Sequence, residues 1–436
     1  MKRFKTASGS NSDLFISKKK IEFKELDLSN GLHCVLYKDN NNPIVNVTLG
    51  YKVGSKDEGK NKKGIAHLFE HMMFQGSENV KKNQHFEYVM KSGGTCNAFT
   101  MQDATVYYEL MPSNNLEMAL WLESERMNSL DISEANLSNQ KSVVIEEKKQ
   151  RYDNAPYGMM FHNIFKNVFK GSDYESSVIG ETNDINSFNV KEARDFHYNY
   201  YSPKNAVLIV AGDIDYNEAE DFINKYFSGI KKEIKINRNE NIVKDLERDI
   251  DLKVYDNIQL PLLNICYQIP KAGSKEDYNF EYFGEIIANN KSSRLYRKLV
   301  YEKRLLKSIK ALKYTLEDAS VIAFRVMINP GTNVEDIKNE ILNEFKDFAV
   351  NGITDSEFRK IQNQLEFDNT QKYLKLMNIS FETVFNYLYY KDINRINSEI
   401  DNYLSVSKQD VIDSVNKYII GKNKLTATYL PMEIKN

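Results

Sequence analysis

Cysteine is scarce: the 436 residues hold three, Cys34, Cys96 and Cys266. An odd, sparse set builds no disulfide framework and fits a reducing compartment. Long apolar runs are missing too, and no stretch approaches the roughly 20 residues of a membrane-spanning helix. The start, Met1-Lys2-Arg3-Phe4-Lys5-Thr6-Ala7-Ser8, has basic residues with no apolar segment behind them. A secretory signal is therefore not expected there, and cytoplasm is the expected location. An excess of either charge is also absent, since 59 basic and 61 acidic residues leave a formal net charge of −2. With no overall field to favour nucleic acid or an anionic membrane, neither is an expected partner. Histidine is limited to six residues. Any cluster of them calls for a physical reason.

What is present is ample for globular packing: 41% of residues are hydrophobic and 12% aromatic. The length exceeds one ordinary core and predicts two domains. One stretch stands out, Gly64-Ile65-Ala66-His67-Leu68-Phe69-Glu70-His71-Met72-Met73-Phe74-Gln75-Gly76. Nothing breaks it internally, and Gly76 is placed to end a helix. Positions i, i+3 and i+4 share a helix face, so His67, Glu70 and His71 converge. The remaining positions are mostly apolar, which predicts a largely buried helix. Two imidazoles from one helix turn fill half of a tetrahedral zinc site. The pattern predicts a zinc hydrolase, with His67 and His71 as ligands and Glu70 as general base.

H-x-x-E-H is the inverted motif of the inverzincins, and the likeness extends over nearly the whole chain. The sequence resembles the pitrilysin/insulinase-type metallopeptidases, in the branch of single bacterial chains related to the mitochondrial processing peptidase. That resemblance implies a third zinc ligand at Glu147, 76 positions after His71, with Glu146 as the neighbour to be told apart from it. Gly94-Thr95-Cys96-Asn97-Ala98-Phe99-Thr100 resembles the strand that holds the substrate backbone, which makes Asn97, Ala98, Phe99 and Thr100 the expected substrate-binding residues. Asp153-Asn154-Ala155-Pro156-Tyr157-Gly158 and Tyr200-Tyr201-Ser202-Pro203-Lys204-Asn205 match further family segments in order. There is one departure: many members carry a glutamate where this chain has Gln140.

The second half repeats the first. Pro261-Leu262-Leu263-Asn264-Ile265 lies 218 positions after Pro43-Ile44-Val45-Asn46-Val47, Pro330 lies 218 after Pro112, and Lys422-Asn423 lies 218 after Lys204-Asn205. Three anchors with one offset predict duplicated domains. The expected fold is α+β, with two homologous domains, each a mostly antiparallel sheet with helices on one face. The expected division is a loose leader over 1–20, a zinc-binding domain over 21–228, a linker over 229–251 and a non-catalytic copy over 252–436. No histidine lies beyond His197, so the copy cannot rebuild the zinc site. The resemblance implies that it forms the far wall of a clamshell chamber. The arginine and tyrosine that such walls supply fall here on Tyr301 and Ser308, while Arg294 and Tyr301 have the spacing only in a shifted register.

The chain is therefore expected to be a zinc-dependent endopeptidase for short unstructured peptides, with one Zn2+ per chain. Its expected partner is a homologous chain lacking the zinc motif, giving a heterodimer, or a second copy of itself. A non-catalytic scaffold or peptide-binding subunit is the competing reading. His33, His85, His162 and His197 are expected to be surface or helix residues rather than ligands, and Cys96 a small packed side chain.

Overall fold

A computed structural model describes residues 20–232, 236, 238 and 240–432, so all but the last residue of the expected leader lies outside the described residues. The first half runs β1 (Lys24–Asp27), β2 (His33–Lys38), β3 (Ile44–Tyr51), α1 (Ile65–Met72), α2 (Gln84–Lys91), β4 (Thr95–Thr100) and β5 (Thr105–Pro112). It continues with α3 (Leu116–Asn128), α4 (Glu134–Lys148), α5 (Met160–Val168), α6 (Thr182–Ser187), α7 (Val190–Tyr200), β6 (Ala206–Gly212) and α8 (Tyr216–Phe227). The second half runs β7 (Ile250–Asp256), β8 (Leu262–Ile269), α9 (Lys275–Gly284), β9 (Leu306–Thr315) and β10 (Ser320–Ile328). It ends with α10 (Val334–Asn351), α11 (Asp355–Lys372), α12 (Leu376–Tyr390), α13 (Arg395–Ser405), α14 (Lys408–Tyr418) and β11 (Leu425–Pro431).

The strands form two sheets, ordered β1-β2-β6-β3-β5-β4 and β7-β11-β8-β10-β9. Without β1, the two orders are the same order. β8 begins and ends 218 positions after β3, and α14 does so after α7. The internal repeat is a repeat of structure. Most neighbouring strands run antiparallel; β2 with β6 and β7 with β11 run parallel.

The sequence of β6, Ala-Val-Leu-Ile-Val-Ala-Gly, is apolar throughout because both of its faces are covered. Leu208 and Val210 join one core with α1, α3, α7 and α8, whereas Val207 and Ile209 face Val384 and Leu388 of α12. Each half packs its own helices on one face of its sheet, and this second cover comes from the other half. The second half sends α12 onto the first sheet, and the first half sends α5 onto the second sheet, where Ile164, Phe165 and Val168 pack on Cys266, Val321 and Tyr429. A Cβ at Gly50 on β3 would collide with Val384, so the close seat of α12 demands glycine there. Within the stretch 229–251, Ile230 packs in the first core and Ile250 opens β7.

The β4–β5 turn meets the β9–β10 turn across the two halves. Asp103, fully buried, accepts 2.7 Å bonds from Lys56 and Tyr174 and a 3.0 Å bond from the Glu317 amide. Lys56 also pairs with Glu317. Despite burial, these carboxylates hold the Lys56 ammonium above its usual pKa.

Candidate metal and peptide site

Helix α1 begins after Gly64, whose φ of +97° lies in the left-handed region. A side chain there would also press on the Ile179 carbonyl, at 2.7 Å from a Cβ. Glu58 seals the helix start, each carboxylate oxygen accepting one 2.9 Å bond, from the Gly64 and Ala66 amides. Burial pushes its pKa up to about 8, while the two amides draw it back. Ile65, Leu68, Phe69 and Met72 face the core, which leaves His67, Glu70 and His71 on the opposite side. The helix closes at Met72 with Met73 as its cap, so Gly76, at φ +111°, shapes the following turn rather than the helix end.

α4 supplies the carboxylate. Ser133 caps its start by accepting from the Asn136 amide. Val144 is buried one turn before Lys148, and Val143 is exposed. Glu147 Oε2 lies 3.2 Å from His71 Nε2 and 3.9 Å from His67 Nε2. Glu146 is turned outward, bonded by Gln150. The helix then widens into a π turn over Lys149–Asp153, from which Arg151 reaches the other Glu147 oxygen at 2.7 Å.

His67, His71 and Glu147 bring three ligand-capable atoms within 4.8 Å of one another, the only such His/Cys/Asp/Glu group among the described residues. The donor set, two imidazoles and one carboxylate, is a zinc set with one position open. Burial, and then His71 beside it, push the His67 pKa down to about 4, so its ring is neutral and able to ligate. The bond from His71 holds the Glu147 carboxyl below its usual pKa. Glu70 stands apart from this trio. Its Oε2 accepts a 2.6 Å bond from the Thr100 hydroxyl, and burial raises its pKa while that bond opposes the rise.

Thr100 belongs to β4, the outer strand of the sheet, whose second edge has no strand neighbour among the described residues. The Ala98 amide donates to the Asn97 side-chain oxygen at 2.9 Å. Ala98 faces the α1 side, whereas Phe99 faces the other side against Phe381 and Phe385 of α12. The four expected substrate-binding residues thus lie along one open edge beside the His67–His71–Glu147 cluster.

Residues 34–182 match the family described as Insulinase (Peptidase family M16), and residues 187–365 match its companion, Peptidase M16 inactive domain. The chain belongs to this insulinase-type family. It is 28% identical over 420 residues to the zinc protease PqqE of Helicobacter pylori, covering 94% of this chain and 93% of that protein. The crystal structure of a protease from Helicobacter pylori superposes with a TM-score of 0.89 at 27% identity, covering 94% of this chain and all of that one. The periplasmic protease PqqL of Escherichia coli shares the fold, with a TM-score of 0.78 at 18% identity, and this chain spans 47% of it.

The other histidines stay out of the cluster. His85 and His197 lie on helices, as expected, and are buried; His33 is buried on β2 between Glu25 and Asp27, so it alone of these three is neither a surface nor a helix residue. All three cysteines are free thiols. Arg294 is bonded to Glu357 and the Gly352 carbonyl, which ties it to the α10–α11 connection, while Tyr301 is 75% exposed. No helix among the described residues is long and apolar enough to cross a membrane. Sequence reasoning missed the Glu58 clamp and Arg151. Arg151 had a signal, its i+4 spacing from Glu147; Glu58 had none, because its partners are backbone amides across a loop.

Proposed function

We propose that the chain is a zinc-dependent endopeptidase that cuts short, unstructured peptides. The observation that carries this reading is the convergence of His67, His71 and Glu147, with Glu70 beside them and an open strand edge alongside. His67, His71 and Glu147 hold one Zn2+. When bound, zinc lowers the pKa of a water molecule toward 7 and polarises the substrate carbonyl. A peptide joins the sheet as an added strand along Asn97, Ala98, Phe99 and Thr100, so backbone bonds give affinity with little sequence choice. Glu70 accepts the proton of the attacking water and passes it to the leaving amine. The first half, 21–228, carries the chemistry; the second, 252–436, is a non-catalytic wall. A second chain, homologous or identical, completes the chamber. We place the protein in the cytoplasm on its three free thiols.

The test is cleavage of a mixture of unstructured peptides by the zinc-loaded chain, with Glu70→Gln beside it. The expected result is zinc-dependent cutting that Glu70→Gln abolishes while zinc stays bound. Turnover retained by a zinc-loaded Glu70→Gln protein overturns the reading. A folded, zinc-loaded chain that cuts nothing alone but cuts on mixing with a homologous chain carrying an arginine–tyrosine pair identifies the heterodimer.

A further inference from the structure

Glu70 makes one side-chain hydrogen bond among the described residues, to Thr100. At 2.6 Å it is short, as an O–H bond to a carboxylate is. It fixes Oε2, and the Thr100 backbone amide also acts on the same carboxylate. Thr100 is the last residue of β4, three before Asp103, the buried anchor of the joint between the halves. It therefore connects three things: the edge on which a peptide would add, the fixed turn at the strand's end and the carboxylate beside the metal cluster. A glutamate has three rotatable side-chain bonds, and a displacement of about 1 Å in a catalytic group can cost on the order of 100-fold. A carboxylate beside a cation-binding cluster also has an alternative, to swing in as an extra ligand.

We propose that the Thr100 hydroxyl is the positioning group for Glu70: it holds Oε2 so that the carboxylate stays aligned with the attacking water, and keeps it off the metal. Thr100 thereby has two separate tasks, its backbone serving strand addition and its side chain aligning the base. The assignment rests on the zinc-peptidase reading given above.

Two variants test it. Thr100→Val keeps the β-branched shape that suits a strand and removes only the hydroxyl; Thr100→Ser keeps the hydroxyl. With peptide substrate and zinc-loaded protein, Thr100→Val lowers kcat about 10–100-fold while KM stays within about threefold. Thr100→Ser recovers kcat to within about threefold of wild type, as retention of the hydroxyl requires. A crystal structure of metal-free Thr100→Val provides a readout besides activity, and there the Glu70 carboxylate leaves its position or spreads over several rotamers. Full kcat in Thr100→Val, a rise in KM alone, a Ser variant as slow as the Val variant, or an unmoved Glu70 overturns the proposal. Glu70→Gln, run in parallel, separates the two claims. A turning-over Glu70→Gln sinks the peptidase reading itself, whereas an inactive Glu70→Gln with a fully active Thr100→Val sinks only the role of Thr100.

Discussion

Replacing Lys56 with methionine removes the one cation bonded to Asp103 among the described residues. The lysine side chain is 9% exposed and bridges Asp103 to Glu317, from the other half of the chain. Removing one partner of a buried pair costs about 3–5 kcal/mol, because the remaining charge stays desolvated. Here the loss belongs at the lower end, about 3 kcal/mol, since neutral donors to Asp103, the Tyr389 hydroxyl among them, and a second cation on Glu317 remain. Tyr174 and the Glu317 amide still bond Asp103, and Lys52 still neutralises Glu317. Asp103→Asn alone costs less, about 1–2 kcal/mol, because Lys56 keeps Glu317 and Asp318. The double variant removes both members, so it is more stable than the two single losses predict, by about 1–2 kcal/mol of coupling. Urea unfolding of the four proteins, followed by circular dichroism, measures that coupling. Because the Lys56 pKa is raised, its contribution is fully present below about 10.5 and is lost as pH rises past that value, so pH 7 is a fair place to measure. A Lys56→Met protein within 1 kcal/mol of wild type, or additive single losses, would refute the joint as a stabilising contact.

Other sites give sharper or simpler tests. His197 donates from Nε2 to the Arg126 carbonyl, and burial followed by Lys232 pushes its pKa down to about 3. Its contribution is therefore present above about pH 6.5 and is lost as pH falls, by about 1.4 kcal/mol per unit relative to His197→Gln. Urea midpoints of both proteins at pH 7 and 4.5 should diverge, and parallel midpoints would contradict a buried neutral ring. Glu58→Ala leaves the Gly64 and Ala66 amides without their acceptor, at a cost of about 2–4 kcal/mol. Thermal unfolding reports the loss, and calorimetric zinc titration should show weaker binding as the start of α1 loosens; a change below 1 kcal/mol would mean that water replaces the carboxylate.

The convergence of His67, Glu70, His71 and Glu147 was legible because its information is local or carried at a fixed spacing. His67, Glu70 and His71 lie within one helix turn, where the 3.6-residue period alone decides which side chains meet. Glu147 was not legible from periodicity, which treats Glu146 and Glu147 alike. The family spacing chose between them, and in the structure Glu147 is turned to the histidines and Glu146 outward. The repeat was legible for a similar reason, since Pro43 and Pro261 mark the entries to two central strands, where a lost amide is tolerated at the first position. The Thr100–Glu70 bond joins residues 30 apart through a side chain, and no pattern in either segment announces it.

The two helices that cross between the halves show where such reading stops. α12 reads as an aromatic helix, and its Val384 and Leu388 share a face at i and i+4. That pattern says the helix buries a face, but not whose sheet lies beneath it. The answer needs Gly50, far away on β3, where the missing side chain makes room for Val384. The repeat then makes the exchange reciprocal: α5, the counterpart of α12, covers the second sheet. Each half thus leaves one sheet face to be covered by the other, including Val207 and Ile209 in the first half. Burying such side chains is worth about 1.5–3 kcal/mol each, so a half cut away at the linker would expose an apolar sheet face. The first half depends on the copy even though none of His67, His71 and Glu147 lies in the copy, because α12 also backs Phe99 of β4.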